Sequence, residues 1–193
     1  MNCLEQVNKK ITFKPELALV LGWGLGDFCD TLDIRETLDY AEIEGFPRST
    51  VAGHKGRFVF GYCGKTPIVC MQGRVHYYEG YSVSDAVLPI RLTKLLGAKT
   101  LFLTNAAGGI NPTFKAGDFM LIGDHIIHNV PSPLIGANID ELGVRFPDMS
   151  EVYSKRLRKL AEEAAAEAGV PLKTGVYIQT SGPNYETPAE IRA

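Results

Sequence analysis

The sequence predicts an α/β fold, and two features carry that prediction. Short apolar runs bounded by glycine or polar residues are typical of buried strands. Segments with helical periodicity and recognisable first and last residues lie between those runs. Strands interleaved with helices favour the α/β class over all-helical or all-strand folds. The length of 193 residues suits a single domain spanning residues 1–193.

Six segments are predicted as strands because of their apolar or β-branched composition. The first ends in a glycine-rich turn, and Gly64-Lys65-Thr66 between the second and third suits a hairpin. The fourth and fifth are expected to be buried. The segments are 17–21, 57–63, 67–71, 100–104, 118–125 and 174–180.

Two helices are predicted from their caps and periodicity. Ser82 and Asp85 form a capping-box pattern, and Gly97 is placed to end the helix that follows. Pro89 inside it indicates a late start or a kink. The second helix covers residues 154–168 and ends at Gly169. The apolar face of the first helix is expected to comprise Val83, Ala86, Val87, Ile90 and Leu95.

A further helix start lies at the end of the sequence. Thr187 is a suitable N-cap, Pro188 a suitable first residue and Glu190 the matching capping-box carboxylate. A helix that begins here and stops at Ala193 has no face to bury. The pattern favours a chain that is incomplete at its C-terminus; the alternative is a frayed terminus on a complete small protein.

Composition excludes several function classes. Twenty Lys and Arg against twenty-two Asp and Glu give a net charge of −2, so no electrostatic reason exists to expect nucleic acid or an anionic membrane as partner. The four cysteines lack disulfide-scaffold or metal-ligand spacing. The N-terminus lacks the apolar core of a signal peptide. These features predict a reduced, cytoplasmic protein.

Two motifs suggest phosphate chemistry. Gly22-Trp-Gly-Leu-Gly26 follows a strand and is typical of either an anion-binding loop or a tight turn. Arg74 and His76 flank Val75, so an extended segment points both to one side, and an Arg fork with an imidazole matches phosphate. The alternative is that Arg74 pairs with a carboxylate such as Glu79 while His76 caps a loop.

Other motifs are less specific. Small residues in 104–109 allow either a flat ligand or a helix to approach the backbone, and residues 181–187 fit a heterocycle site or a turn before a helix. His125 and His128 with Asp124 lack a convincing ligand spacing, so no metal site is predicted.

The order of these motifs resembles the trimeric purine nucleoside phosphorylase family from about Leu17 to the last residue. The series runs Leu-Gly-x-Gly-Leu-Gly, Gly-His-x-Gly, Gln-Gly-Arg-x-His-x-Tyr-Glu-Gly-Tyr, Thr-Asn-Ala-Ala-Gly-Gly, Gly-Asp-x-Met-x-Ile-x-Asp-His, Arg-Phe-Pro-x-Met-Ser and Gly-Pro-x-Tyr-Glu-Thr-x-Ala-Glu. The resemblance implies a three-layer αβα fold around a mixed, twisted sheet. It also implies a homotrimer.

The resemblance implies phosphorolysis of purine nucleosides to free base and ribose 1-phosphate, with inorganic phosphate as co-substrate and no cofactor. Catalytic roles would fall to His76 and Glu186. The implied phosphate ligands are His54, Arg74, His76 and Ala106; Tyr78 would line the ribose site; and Ala107, Gly108, Tyr185 and Glu186 would meet the purine.

Two departures from the family pattern leave alternatives open. Trp23 stands where the family has Ser or Thr, and family members run well beyond 193 residues, which predicts weak or no activity for this chain. A methylthioadenosine phosphorylase is one alternative. The other is a catalytically dead purine-binding or assembly protein.

Overall fold

The computed structural model describes residues 3–51, 53 and 55–193. The chain divides into two compact units, Met1–Ala107 and Gly108–Ala193. A five-stranded sheet forms the first unit and a two-stranded sheet the second. Helices accompany both sheets and the larger sheet is mixed, which confirms the predicted α/β class.

The first unit orders its strands β2-β3-β4-β1-β5. Strands β2, β3 and β4 are antiparallel neighbours, whereas β1 runs parallel to both β4 and β5. The Cys63–Thr66 pair closes the predicted hairpin. The elements are α1 (Cys3–Lys10), β1 (Leu17–Leu21), β2 (Asp33–Asp39), β3 (Arg57–Cys63), β4 (Thr66–Gln72), α2 (Val83–Leu95) and β5 (Thr100–Leu103).

Strand β1 lies inside the sheet and is covered on both faces. Ala18 and Val20 join the larger core cluster, to which α1 and α2 contribute Val7 and Leu92. Leu19 and Leu21, on the other face of the strand, join a second cluster. A strand buried on both faces has apolar residues at successive positions, which is why this run was predictable from the sequence.

Helix α2 begins where predicted, but its buried face differs in part from the predicted one. The Ser82 hydroxyl accepts a hydrogen bond from the Asp85 amide, and the helix continues through Pro89. Pro89, Leu92, Thr93 and Leu96 are buried, whereas Leu95 is 43% exposed. The prediction that Leu95 is buried is therefore wrong, whereas Ile90 of the predicted face is half-buried and packs against the larger core cluster. The apolar residues of this helix are distributed over most of its sides, so periodicity alone does not identify its buried face.

The second unit is a strand-helix-strand arrangement. Strands β6 (Phe119–Ile127) and β7 (Leu172–Gln179) are parallel, and α3 (Lys155–Glu167) packs against both. Ser154 caps α3, whose C-terminal end is followed by Gly169 in the left-handed region. The predicted capping box of Thr187 and Glu190 opens the short helix α4 (Pro188–Arg192).

The prediction that segments 100–104 and 118–125 are buried is wrong. Leu101, Phe102 and Leu103 of β5 are 43–52% exposed, and no residue of 108–193 is fully buried. Within the described residues β5 pairs with β1 alone and β6 with β7 alone, so each has one open edge. Apolar composition correctly indicated strands but did not report what covers them.

The described residues contain no helix that is both long and apolar enough to cross a membrane. Of the four free cysteines, Cys29 and Cys70 are buried, whereas Cys63 is exposed.

Candidate active site

The glycine loop after β1 is attached to the residue that follows β5. The Gly22 amide donates to Thr104 Oγ1 over 2.8 Å, and Thr104 Oγ1 donates to the Val20 carbonyl over 2.8 Å. A Cβ on Gly22 would lie 2.9 Å from the Thr104 carbonyl oxygen, which is closer than real Cβ contacts come. Glycine at position 22 therefore permits the close approach of two backbone segments.

The rest of this loop is a turn. Leu25 N donates to the Gly22 carbonyl over 3.1 Å, and Gly24 has a φ of 80°, a left-handed conformation that favours glycine. Trp23 points outward with 71% of its surface exposed. The loop thus has the tight-turn geometry that was one alternative, while its first amide is already bonded to Thr104.

Arg74, which follows the end of β4, also contacts Thr104. Its Nη1 donates to the Thr104 carbonyl over 2.8 Å. Val75 is buried, whereas Arg74 and His76 are half-buried, an alternation that agrees with both side chains lying on the side opposite Val75. Arg74, Thr104 and Gly22 are therefore joined by direct hydrogen bonds within the first unit.

His76 is held by Glu79, three residues further on. Glu79 Oε1 lies 2.9 Å from His76 Nδ1 and accepts from the His76 amide over 2.6 Å. A carboxylate at this position favours the proton on Nδ1 and leaves Nε2 at the opposite edge of the ring. The Tyr78 ring stacks on the imidazole with centroids 4.9 Å apart. His76 therefore caps a turn, which was the alternative to a phosphate-binding role. The contacts with Glu79 and Tyr78 also fix the orientation of its ring.

The second carboxylate oxygen of Glu79 holds a different loop. It accepts from the Thr50 amide over 2.6 Å and from Thr50 Oγ1 over 2.7 Å. The Glu79 side chain is only 2% exposed. Burial favours its neutral form, but the hydrogen bonds from Thr50 and His76 outweigh burial and lower the pKa of Glu79 to about 2. An ionised, buried carboxylate thus joins the segment before residue 54 to the turn that bears His76.

We expect the stability of the protein to depend on the ionisation of Glu79. Its pKa falls from 4.5 to about 2 in the folded state, which, with solvent screening taken into account, corresponds to about 1–2 kcal/mol of stabilisation. Because the folded pKa is the lower one, that stabilisation is complete above pH 4.5 and is lost as pH falls towards 2. Urea unfolding at several pH values would measure it. Glu79→Gln should lower stability at pH 7 and flatten this pH dependence, and an equally steep dependence in the variant would contradict the assignment.

The other predicted residues of the first unit lie at two places. Tyr78 is 46% exposed beside His76. Ala106 and Ala107 are exposed directly after the Thr104 contact, and Asn105 Nδ2 donates to the Ala106 carbonyl over 3.1 Å. His54 lies outside the described residues.

The second unit holds the remaining predicted residues. Gly108 is its exposed first residue. Tyr185 is 93% exposed, and Glu186 Oε1 accepts from Thr180 Oγ1 over 2.9 Å. The tyrosine ring and the carboxylate therefore follow β7 as neighbours, with one carboxylate oxygen already oriented by a hydroxyl.

The histidines considered as metal ligands have other contacts. His125 Nδ1 lies 3.2 Å from the Tyr153 hydroxyl, and the two rings meet edge to face. His128 Nε2 lies 3.0 Å from Asn129 Nδ2. Among the residues that the structure describes, no group of three or more His, Cys, Asp or Glu side chains could hold a metal ion.

Three residues that organise the site were given no role of their own by the sequence: Thr50, and Gln72 and Thr104, which begin two of the motifs. Gln72 is 1% exposed, donates to the Gly26 carbonyl over 2.7 Å and accepts from Arg57 Nε over 2.8 Å. A glutamine that ends an apolar strand is a signal that could have identified Gln72, because a buried amide needs partners. The contacts of Thr50 and Thr104 could not be predicted, since their partners lie far away in the sequence; for Thr104 the only signal was its place at the start of the 104–109 motif.

Comparison with known proteins defines the class of this chain. The profile of the phosphorylase superfamily matches residues 16–193. Purine nucleoside phosphorylase 1 of Geobacillus stearothermophilus is 50% identical over 186 residues, which are 96% of this chain and 68% of that protein. The mouse purine nucleoside phosphorylase is 47% identical over 93% of this chain and 64% of its own length.

Solved structures give the same result. The purine nucleoside phosphorylase of Schistosoma mansoni in complex with acetate superposes with a TM-score of 0.91 at 42% identity, over 98% of this chain and 71% of that one. The chain thus spans about two thirds of the length of its relatives. It belongs to the purine nucleoside phosphorylases of the phosphorylase superfamily, a family of pentosyltransferases.

Proposed function

We propose that the protein containing this chain cleaves purine nucleosides with inorganic phosphate, releasing the free base and a pentose 1-phosphate. The observation that carries the proposal is the meeting of the glycine loop and Arg74 at Thr104, two residues before the exposed residue Ala106. An arginine fork beside the backbone amides of a loop is suited to a phosphate oxyanion. One solved relative, 42% identical, is described as a complex with ribose 1-phosphate, which supports the proposal.

In the proposed reaction the first unit holds the nucleophile. Phosphate is a modest nucleophile, so fixing it near the sugar C1′ converts a bimolecular attack into a positioned one. The glycosidic bond breaks with cationic character at the sugar, and the bound phosphate stabilises that charge. The phosphate ligands are proposed to be Arg74, His76 and the Ala106 amide, together with His54.

His76 has its orientation supplied by Glu79. With Nδ1 hydrogen-bonded to the carboxylate, Nε2 is the ring atom that can meet phosphate. The stacked Tyr78 ring extends from the imidazole, and we assign it to the ribose side of the site. A preoriented imidazole needs little reorganisation when the ligand arrives.

The proposed purine contacts are Ala107, Gly108, Tyr185 and Glu186. Tyr185 offers a flat exposed ring for stacking. The carboxylate of Glu186 accepts hydrogen bonds from ring N–H groups of the base, and a hydrogen-bonded base leaves more readily because its developing negative charge is spread. The hydrogen bond from Thr180 supports this role by orienting the carboxylate.

The decisive experiment is phosphorolysis by the protein translated from the complete reading frame that encodes these residues. We expect phosphate-dependent release of hypoxanthine from inosine, with slower release of adenine from 5′-methylthioadenosine. Faster turnover of 5′-methylthioadenosine would favour the alternative phosphorylase. Binding of hypoxanthine without any phosphate-dependent cleavage would favour a catalytically inactive purine-binding protein.

The proposal also includes assembly into a homotrimer, a location in the reduced cytoplasm and a reaction that needs no cofactor. Light scattering tests the assembly.

Replacing Glu186 by glutamine should weaken hypoxanthine binding by about tenfold to a hundredfold while sparing phosphate. The amide replaces a carboxylate acceptor by a group that also carries donors, which conflict with the ring N–H groups of the base. Calorimetry with hypoxanthine and phosphate separately provides the measurement. Glu162→Gln, a change of an exposed residue of α3, is the matched control. Unchanged hypoxanthine affinity would remove Glu186 from the site.

A further inference from the structure

We propose that Thr104 is a positioning residue of the phosphate site, which sets the spacing between the glycine loop, Arg74 and the Ala106 backbone. The inference rests on the proposed function, because it concerns the same site. Thr104 itself is not required to touch phosphate. Its role is to hold in place the groups that do.

The hydroxyl of Thr104 both accepts and donates a hydrogen bond. It accepts from the Gly22 amide over 2.8 Å and donates to the Val20 carbonyl over 2.8 Å. Only a group that is both donor and acceptor makes these two bonds, so serine preserves them and the similarly shaped valine does not. The hydroxyl therefore connects the residue before the glycine loop with the first residue of the loop.

The backbone of Thr104 makes two further contacts. Its amide donates to the Val20 carbonyl over 3.0 Å, and its carbonyl accepts from Arg74 Nη1 over 2.8 Å. The orientation of this one residue therefore determines both where the glycine loop starts and where the guanidinium lies. The Ala106 amide follows two residues later on the same segment.

The contact between Gly22 and Thr104 also leaves no space for a side chain at position 22. A Cβ at position 22 would meet the Thr104 carbonyl oxygen at 2.9 Å and Asn105 Cα at 3.0 Å. Two backbone segments this close have little freedom to shift. Prearranged donors stabilise an anion better than donors that must reorganise, so rigidity here should appear as phosphate affinity.

The test compares Thr104→Val with Thr104→Ser in the protein from the complete reading frame. We expect Thr104→Val to raise the Kd for inorganic phosphate about tenfold, because the Gly22 amide loses its acceptor. Thr104→Ser should stay within about twofold of wild type, since the hydroxyl remains. The Kd for hypoxanthine should remain within about twofold in both variants. Thr66→Val, at the exposed start of β4, is the matched control.

Each outcome separates the positioning role from the proposed function. A wild-type protein that binds no phosphate overturns the proposed function, and the role of Thr104 falls with it. Wild-type binding with an unchanged Kd in Thr104→Val overturns only the positioning role. An equal loss in Thr104→Ser also overturns it, because the methyl group rather than the hydroxyl would then matter. The second measurement is hydrogen exchange of the Gly22 amide. We expect it to be faster in Thr104→Val than in wild type and unchanged in Thr104→Ser. Equal exchange in a folded Thr104→Val and in wild type contradicts the positioning role.

Discussion

Replacing Arg74 by alanine should weaken phosphate binding by roughly tenfold to a hundredfold and leave hypoxanthine binding within about twofold. A charge-assisted hydrogen bond contributes about 1.5–3 kcal/mol, and the planar guanidinium matches two phosphate oxygens at once. The loss should be selective because Arg74 donates to the Thr104 carbonyl beside the glycine loop, where the proposal puts phosphate. Calorimetric titration with phosphate, and separately with hypoxanthine, measures both affinities.

Two further variants sharpen this test. Arg74→Lys keeps the charge but loses the fork, so its phosphate affinity should lie between those of alanine and wild type. Arg35→Ala removes an exposed arginine whose partner is Asp33, and it should change neither affinity. Equal losses of phosphate and hypoxanthine binding in Arg74→Ala would show that Arg74 acts through the fold and not as a phosphate ligand.

Replacing Phe58 by alanine should lower the free energy of unfolding by about 3–5 kcal/mol, the usual range for a buried aromatic. Phe58 is completely buried in β3, with ring centroids 4.8 Å from Tyr40, 5.7 Å from Phe46 and 6.1 Å from Phe60. Removing its ring leaves a cavity that these neighbours cannot fill without leaving their own positions. Such a loss is large beside the typical total of about 5–15 kcal/mol.

The measurement should report on the first unit by itself. Hydrogen exchange of the β3 and β4 amides under native conditions gives the free energy of opening there. Phe146→Ala is the control, because that ring is 87% exposed and its loss should change stability by about 0.5 kcal/mol or less. A Phe58 variant whose exchange matches wild type would contradict the description of this core.

The sequence predicted the elements whose evidence is local. Strand β1 and the β3–β4 hairpin were recognisable because an apolar run and a glycine turn lie within a few residues of each other. Helix α1 and strand β2 were missed. In β2 only Leu38 is buried, and its other residues are mostly polar, so it lacks the apolar run by which the other strands were recognised.

The candidate site was predictable to a similar extent. Arg74 and His76 were placed on one side by the two-residue period of extended chain, and Glu79 was noted as a nearby carboxylate. That Glu79 holds His76 and Thr50 could not be predicted, because Thr50 lies 29 residues away from it. What covers β5 and β6 was equally beyond the sequence pattern, since neighbours of a strand are not encoded in the strand itself.

The contact of Gly22 with Thr104 joins residues 82 positions apart, and that of Arg74 with Thr104 joins residues 30 apart. Closing loops of this length costs chain entropy that a few hydrogen bonds do not offset. The closure is achieved by the pairing of β1 with β4 and β5, which brings the ends of three strands together. We therefore expect none of the motifs to hold this geometry as an isolated peptide, and the proposed phosphate recognition would be a property of the assembled sheet.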